Sequence, residues 1–132
     1  MLVYKKKNVN PKGKRVGDCS TRALVGVLDI TYEQAIKEQC EAAIETCYGL
    51  TDKDLLDHIM AKYGYIKMKQ PKKANGKKYT VKEIDELLTE QQMKDGVLVK
   101  IAHHFTCIKD GELQDIWDCG YKTIGNYLVK EK

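Results

Sequence analysis

The sequence predicts an α+β fold in which helices occupy the earlier part of the chain and an antiparallel sheet the end. Three observations predict it. Between Cys19 and Leu88 apolar residues recur at helical spacing, in blocks opened by Asp or Thr and closed by glycine. From Gly96 onward the pattern changes to short runs of alternating apolar and polar residues, the period of a strand. Between two of those runs stands Asp110-Gly111, a two-residue hairpin signal. Segregated helices and strands of this kind make an α+β arrangement.

Taken in order, Leu2 to Lys5 reads as a short strand, followed by a loop through Asn10-Pro11-Lys12-Gly13. A first helix runs from Cys19 to about Leu28, with Asp18 as its N-cap. Thr31 opens a second helix and Gln34 completes a capping box; Ala35, Ile36, Ala43 and Ile44 form its inner side, and Tyr48-Gly49 ends it. Thr51 with Asp54 opens a third, which carries Leu55, Leu56, Ile59 and Met60 and closes at Gly64. Tyr65 to Lys69 suits a short strand, and the lysine-rich stretch Gln70 to Lys78, with Pro71, Asn75 and Gly76, a mobile loop. Thr80 and Glu83 pair as a capping box for a helix with Ile84, Leu87 and Leu88. Strands follow at Val97 to Ile101, His104 to Lys109, Glu112 to Asp118 and near Asn126 to Val129.

A chain of 132 residues supports one core, hence a single domain over residues 1–132. No apolar run approaches the roughly 20 residues of a membrane span. The N-terminus places its lysines after a very short apolar stretch, unlike a secretory signal. Both readings point to a cytoplasmic protein. Five cysteines without a CxxC pair, one of them necessarily odd, read as free thiols. The net charge of +4 gathers in Lys5 to Arg15 and Lys67 to Lys78. Such runs suit solvated surface, or else an acidic partner. Nucleic acid is disfavoured as a partner because these loops lack interleaved aromatic residues for base stacking.

The chemistry-bearing residues are Cys19, His104 and Asp115. Cys19 falls where the loop Gly17-Asp18 turns into a helix, and a helix N-terminus favours a thiolate. A two-residue turn at Asp110-Gly111 sets Lys109 opposite Glu112, Thr106 opposite Asp115 and His104 opposite Trp117. His104, Thr106, Asp115 and Trp117 then share one face, with His104 and Asp115 diagonal neighbours. Thiol, imidazole and acid are a nucleophile, its base and the group that orients the base. The Asp115 carboxylate is expected at the cleft edge, where its removal opens no core cavity.

The same register pairs His103 with Asp118 on the other face as a second-choice dyad. His103 belongs to the connection between strands, a poor place for a rigidly held base, so His104 is preferred. Trp117 serves either as a core aromatic or as a shield over the His–Asp hydrogen bond. A buried free cysteine is also an ordinary core residue. A zinc set of His103, His104, Cys107 and Cys119 is disfavoured because Cys107 projects away from His104 and no metal-type spacing recurs. No metal or cofactor is expected.

Three segments, Gly17-Asp18-Cys19-Ser20-Thr21-Arg22-Ala23-Leu24, His104-Phe105-Thr106, and Asp110-Gly111 through Asp115-Ile116-Trp117-Asp118-Cys119-Gly120, resemble a group of short papain-like proteins of bacteriophages, prophages and bacteria. The resemblance implies a papain-like fold, with the nucleophile at a helix N-terminus packed on the C-terminal sheet. It further implies a cysteine hydrolase (Cys19, His104, Asp115) cleaving a peptide or isopeptide bond of a host or phage protein, in the host cytoplasm if phage-encoded. Gly13 stands six residues before the cysteine, where papain has its oxyanion glutamine, so Asn10 becomes the candidate oxyanion donor. The alternative is a non-catalytic interaction protein on the same fold that blocks a host or defence protein.

Overall fold

The computed structural model describes residues 1–131. Alternating sequence at the chain's end produces a sheet, and the elements before it cover both faces. The strands are β1 (Val3–Lys6), β2 (Tyr65–Met68), β3 (Val97–Ile101), β4 (His104–Lys109), β5 (Glu112–Asp115) and β6 (Asn126–Lys130). The helices are α1 (Cys19–Leu28), α2 (Tyr32–Thr46), α3 (Asp54–Lys62) and α4 (Glu90–Asp95), with a 3-10 helix at Val81–Glu86. One six-stranded sheet runs in the order β1-β5-β4-β3-β6-β2. The α+β class is as the sequence predicts.

The sheet is mixed rather than antiparallel, because β1 joins its edge parallel to β5 while every other neighbour pair is antiparallel. The hairpin at Asp110-Gly111 has the expected register, with Lys109 opposite Glu112 and Cys107 opposite Gln114. Strand β5 stops at Asp115 instead of reaching Asp118. There the Asp115 carboxylate accepts the next backbone N–H, from Ile116, at 2.7 Å, which turns the chain out of the sheet.

Two apolar layers sandwich the sheet. On one face Leu24, Val27, Ala35, Leu55, Leu56, Ile59 and Met60 from α1–α3 meet Leu98, Cys107 and Leu128. On the other Val81 and Ile84 of the 3-10 helix meet Val97, Val99, Ile101, Ile108 and Leu113. Each fully buried aliphatic side chain contributes about 1.5–3 kcal/mol. Helix α1 lies close on β4 because residue 26 is glycine: a Cβ there would stand 2.7 Å from the Cys107 sulfur.

Local signals set several helix ends, with four corrections. The first is that α3 opens after Lys53 with no side-chain cap, the Asp54 N–H going to Asp52 Oδ1 rather than to Thr51. The Thr31/Gln34 capping box is formed. The inner face of α2, however, is Ala35, Gln39 and Ala42, while Ile44 is 80% exposed and Ile36 40% exposed. The segment after Thr80 is not one helix. A second capping box at Thr89/Gln92 restarts the chain soon after Thr80/Glu83, and the segment between them is the 3-10 helix Val81–Glu86. Asp18 stands at the N-cap position of α1 without capping it, since its carboxylate is held elsewhere. Among the described residues no helix is long and apolar enough to cross a membrane.

Candidate functional site

Helix α1 begins where the β3–β4 turn ends, and a cleft of about 750 Å³ opens between them. Gly17 to Thr21 form one wall and Ile101 to Phe105 another, with Ile36, Gln39 and Cys40 of α2 and Leu50, Thr51 and Lys53 opposite. Cys19 is the first residue of α1 and half-buried. With Asp18 drawn aside, no side chain caps the first turn, so the amides beside the sulfur keep the partial positive charge of a helix N-terminus.

His104 and Asp115 meet as the hairpin register requires. Nε2 of His104 lies 2.6 Å from Oδ2 of Asp115, the length of a strong charge-assisted hydrogen bond. With Nε2 so engaged, Nδ1 is the ring nitrogen left for the Cys19 sulfur. Burial pushes the Cys19 thiol up, but the neighbouring His104 and Phe105 backbone, with the charges of His104 and Arg22, bring it below the ordinary thiol value. Burial opposes a charge on His104; the bond to Asp115, with Cys119 and Cys19 beside the ring, outweighs it and raises the imidazole to about 11. Asp115 is pushed up by burial yet held down at about 2, chiefly by its bond to His104. The three groups favour thiolate, imidazolium and carboxylate together.

Asp115 is not at the cleft edge. It is 2% exposed and absent from the cleft wall, because the adjoining elements converge on it. Arg22 Nη1 donates to its Oδ1 at 2.8 Å, Tyr4 Oη to its backbone carbonyl at 3.1 Å, and the Cys119 thiol to its Oδ2 at 3.7 Å. Trp117 arrives from the loop after β5 and packs on His104 with ring centroids 5.2 Å apart, the position of a shield. Tyr121 then meets Trp117 edge-on.

The second-choice dyad is not assembled. His103 occupies the two-residue β3–β4 turn at φ 57°, exposed to solvent. Asp118 instead accepts from the Gly120 N–H at 3.0 Å and pairs with Lys82 at 3.2 Å. Asn10 is likewise placed wrongly for an oxyanion donor. Its amide nitrogen donates to Asp18 at 3.1 Å and approaches Tyr32 Oη at 3.5 Å, and the residue is not in the cleft wall.

The four zinc-type residues weighed from the sequence do not converge: Cys107 packs beneath α1, and His103 is on the turn. Among the described residues one set of metal-type donors does cluster, His104, Asp115 and Cys119, within 4.8 Å of one another. It does not fit a zinc ion as it stands. Donors on one zinc, bound at about 2.0–2.3 Å, sit more than roughly 3 Å apart, whereas Nε2 and Oδ2 are joined at 2.6 Å.

Sequence reasoning missed Arg22 and Tyr32 as parts of the site and considered Cys119 only as a zinc donor, whereas its thiol donates to Asp115. Tyr32 donates to Asp18 Oδ2 at 2.8 Å, and Arg22 Nε to Asp18 Oδ1 at 2.8 Å. The signal for Arg22 was its type: an arginine one helical turn after the cysteine, on a helix whose neighbours Ala23 and Leu24 are buried. Comparison with protein-family models, curated proteins and solved structures finds no match.

Proposed function

We propose that this chain is a papain-like cysteine hydrolase, of the kind found as short phage and bacterial proteins, that cleaves an amide bond of a protein or peptide. The observation that carries the reading is the 2.6 Å bond from Asp115 to Nε2 of His104, which leaves Nδ1 for a thiol at a helix N-terminus. The Cys19 thiolate would add to the substrate carbonyl, its oxygen taking up negative charge before the first-turn amides of α1. His104 would give its Nδ1 proton to the departing amine as the C–N bond breaks, leaving a thioester on Cys19. Water, losing a proton to the same nitrogen, would attack the thioester and release the carboxylic acid and the Cys19 thiolate, which restores the ion pair with His104. Asp115 fixes the ring's orientation and stabilises its charge without itself being protonated.

The cleft suits a peptide segment, because Ile36 and Leu50 offer apolar surface at its mouth. A neutral activated ester such as p-nitrophenyl acetate tests the reading without knowledge of the substrate. Nitrophenolate should appear in a burst with one acetyl group on Cys19, and Cys19→Ala and His104→Ala should abolish that burst. Acetylation spread over the exposed Cys40 and Cys47, with Cys19 spared, would overturn it.

A further inference from the structure

Resting on the hydrolase reading, we infer that Arg22 is a positioning residue: its guanidinium fastens the acid that orients His104 to the helix that carries Cys19. Arg22 is 9% exposed and makes two 2.8 Å ion pairs in different directions, Nε to Asp18 and Nη1 to Asp115. Asp18 immediately precedes Cys19, and Arg22 follows it by three residues, so nucleophile and guanidinium lie on adjoining positions of one helix. Asp115 belongs to β5, on the far side of β4 from β3. Arg22 is therefore a cross-link between α1 and the strand that supplies the third member of the site.

The charges alternate along this link: Asp18, Arg22, Asp115, His104, Cys19. The row closes on itself, since Asp18 and Cys19 are neighbours in the chain. Without Arg22, Asp115 would keep His104 as its one cationic partner, and Asp18 would keep only the neutral Tyr32 and Asn10. Asp18 is itself fixed by Tyr32 and Asn10, so the guanidinium is aimed from an anchored acid. Stability alone does not call for this arrangement, because buried ion pairs seldom outperform apolar packing of the same volume. A planar fork with donors at separate nitrogens does what a lysine cannot, which is to hold two carboxylates at a set angle. The arrangement also accounts for a carboxylate at the head of α1 that does not cap its helix.

Two measurements on Arg22→Lys and Arg22→Gln test the inference, with circular dichroism to establish folding. The first is the far-downfield proton resonance of the His104 Nε2–H, which reports the bond to Asp115 directly and does not depend on Cys19 being a nucleophile. It should move upfield or vanish by exchange in both variants. The second is the pH profile of Cys19 alkylation by iodoacetamide. Its acid limb should move up by about one pH unit in Arg22→Gln, roughly tenfold in thiolate at a given pH below the limb, and less in Arg22→Lys, which keeps the charge. A folded Arg22→Lys protein with wild-type resonance and wild-type acid limb would overturn the inference. Failure of both variants to fold would also overturn it, making Arg22 a residue of stability alone. A wild-type protein whose Cys19 is inert would count against the hydrolase reading, while the resonance would still decide whether Arg22 governs the histidine.

Discussion

Asp115→Asn is the sharpest perturbation of the site. It preserves shape and removes one negative charge from a position 2.6 Å from the His104 ring and 2.8 Å from Arg22. A buried opposite charge at such range shifts a partner's pKa by about 1–3 units, and each unit is about 1.4 kcal/mol. The imidazolium therefore loses roughly 1.4–4 kcal/mol of support, and the thiolate paired with it becomes correspondingly scarcer. At mildly acidic pH, where the wild-type pair is still charged, Cys19 alkylation should slow by about tenfold or more. Arg22 keeps Asp18 as a partner, so the fold should survive with a loss of about 1–3 kcal/mol. Asp115→Ala would strand the guanidinium's second arm and cost about 3–5 kcal/mol; the asparagine variant is the cleaner probe. Alkylation by iodoacetamide, followed by peptide mass spectrometry across a pH series, reads the effect for all five cysteines at once. A folded Asp115→Asn protein that alkylates Cys19 within about twofold of wild type would refute the coupling argued from the hydrogen bond.

His103→Ala should leave Cys19 alkylation unchanged whereas His104→Ala should suppress it, and the same assay decides between them. Gly26→Ala should lower stability in urea by about 1–3 kcal/mol despite its gain in helix propensity, because the new methyl would stand 2.7 Å from the Cys107 sulfur; pairing it with Cys107→Ala should recover most of the loss. Asp115, held at about 2, contributes stability that is present above its ordinary value and is lost as pH falls toward 2. Acid unfolding monitored by circular dichroism should therefore show a step in that window that Asp115→Asn lacks. His104, raised to about 11, has the opposite sign: its contribution is full below the ordinary imidazole value and is lost as pH climbs through 11.

Local chemistry carried much of this protein in the sequence itself. Thr31 with Gln34 and the Asp110-Gly111 turn act through neighbours in the chain, and both formed as read. The hairpin register alone brought His104 toward Asp115, since alternation and a two-residue turn leave one pairing. Periodicity failed where two phases compete. In α2 the isoleucines at 36 and 44 are more apolar than the alanines, yet packing against α1 and α3 selected the face of Ala35 and Ala42, where small side chains permit close approach. The parallel seat of β1 beside β5 has no sequence signature, because it depends on which edge was left open once β3, β4 and β6 had paired. The burial of Asp115 was equally out of reach. Its surroundings come from Tyr4, Arg22, His104 and Cys119, residues that only the folded chain brings together, and a carboxylate so far from water persists because that assembly supplies its hydrogen bonds and its opposing charge.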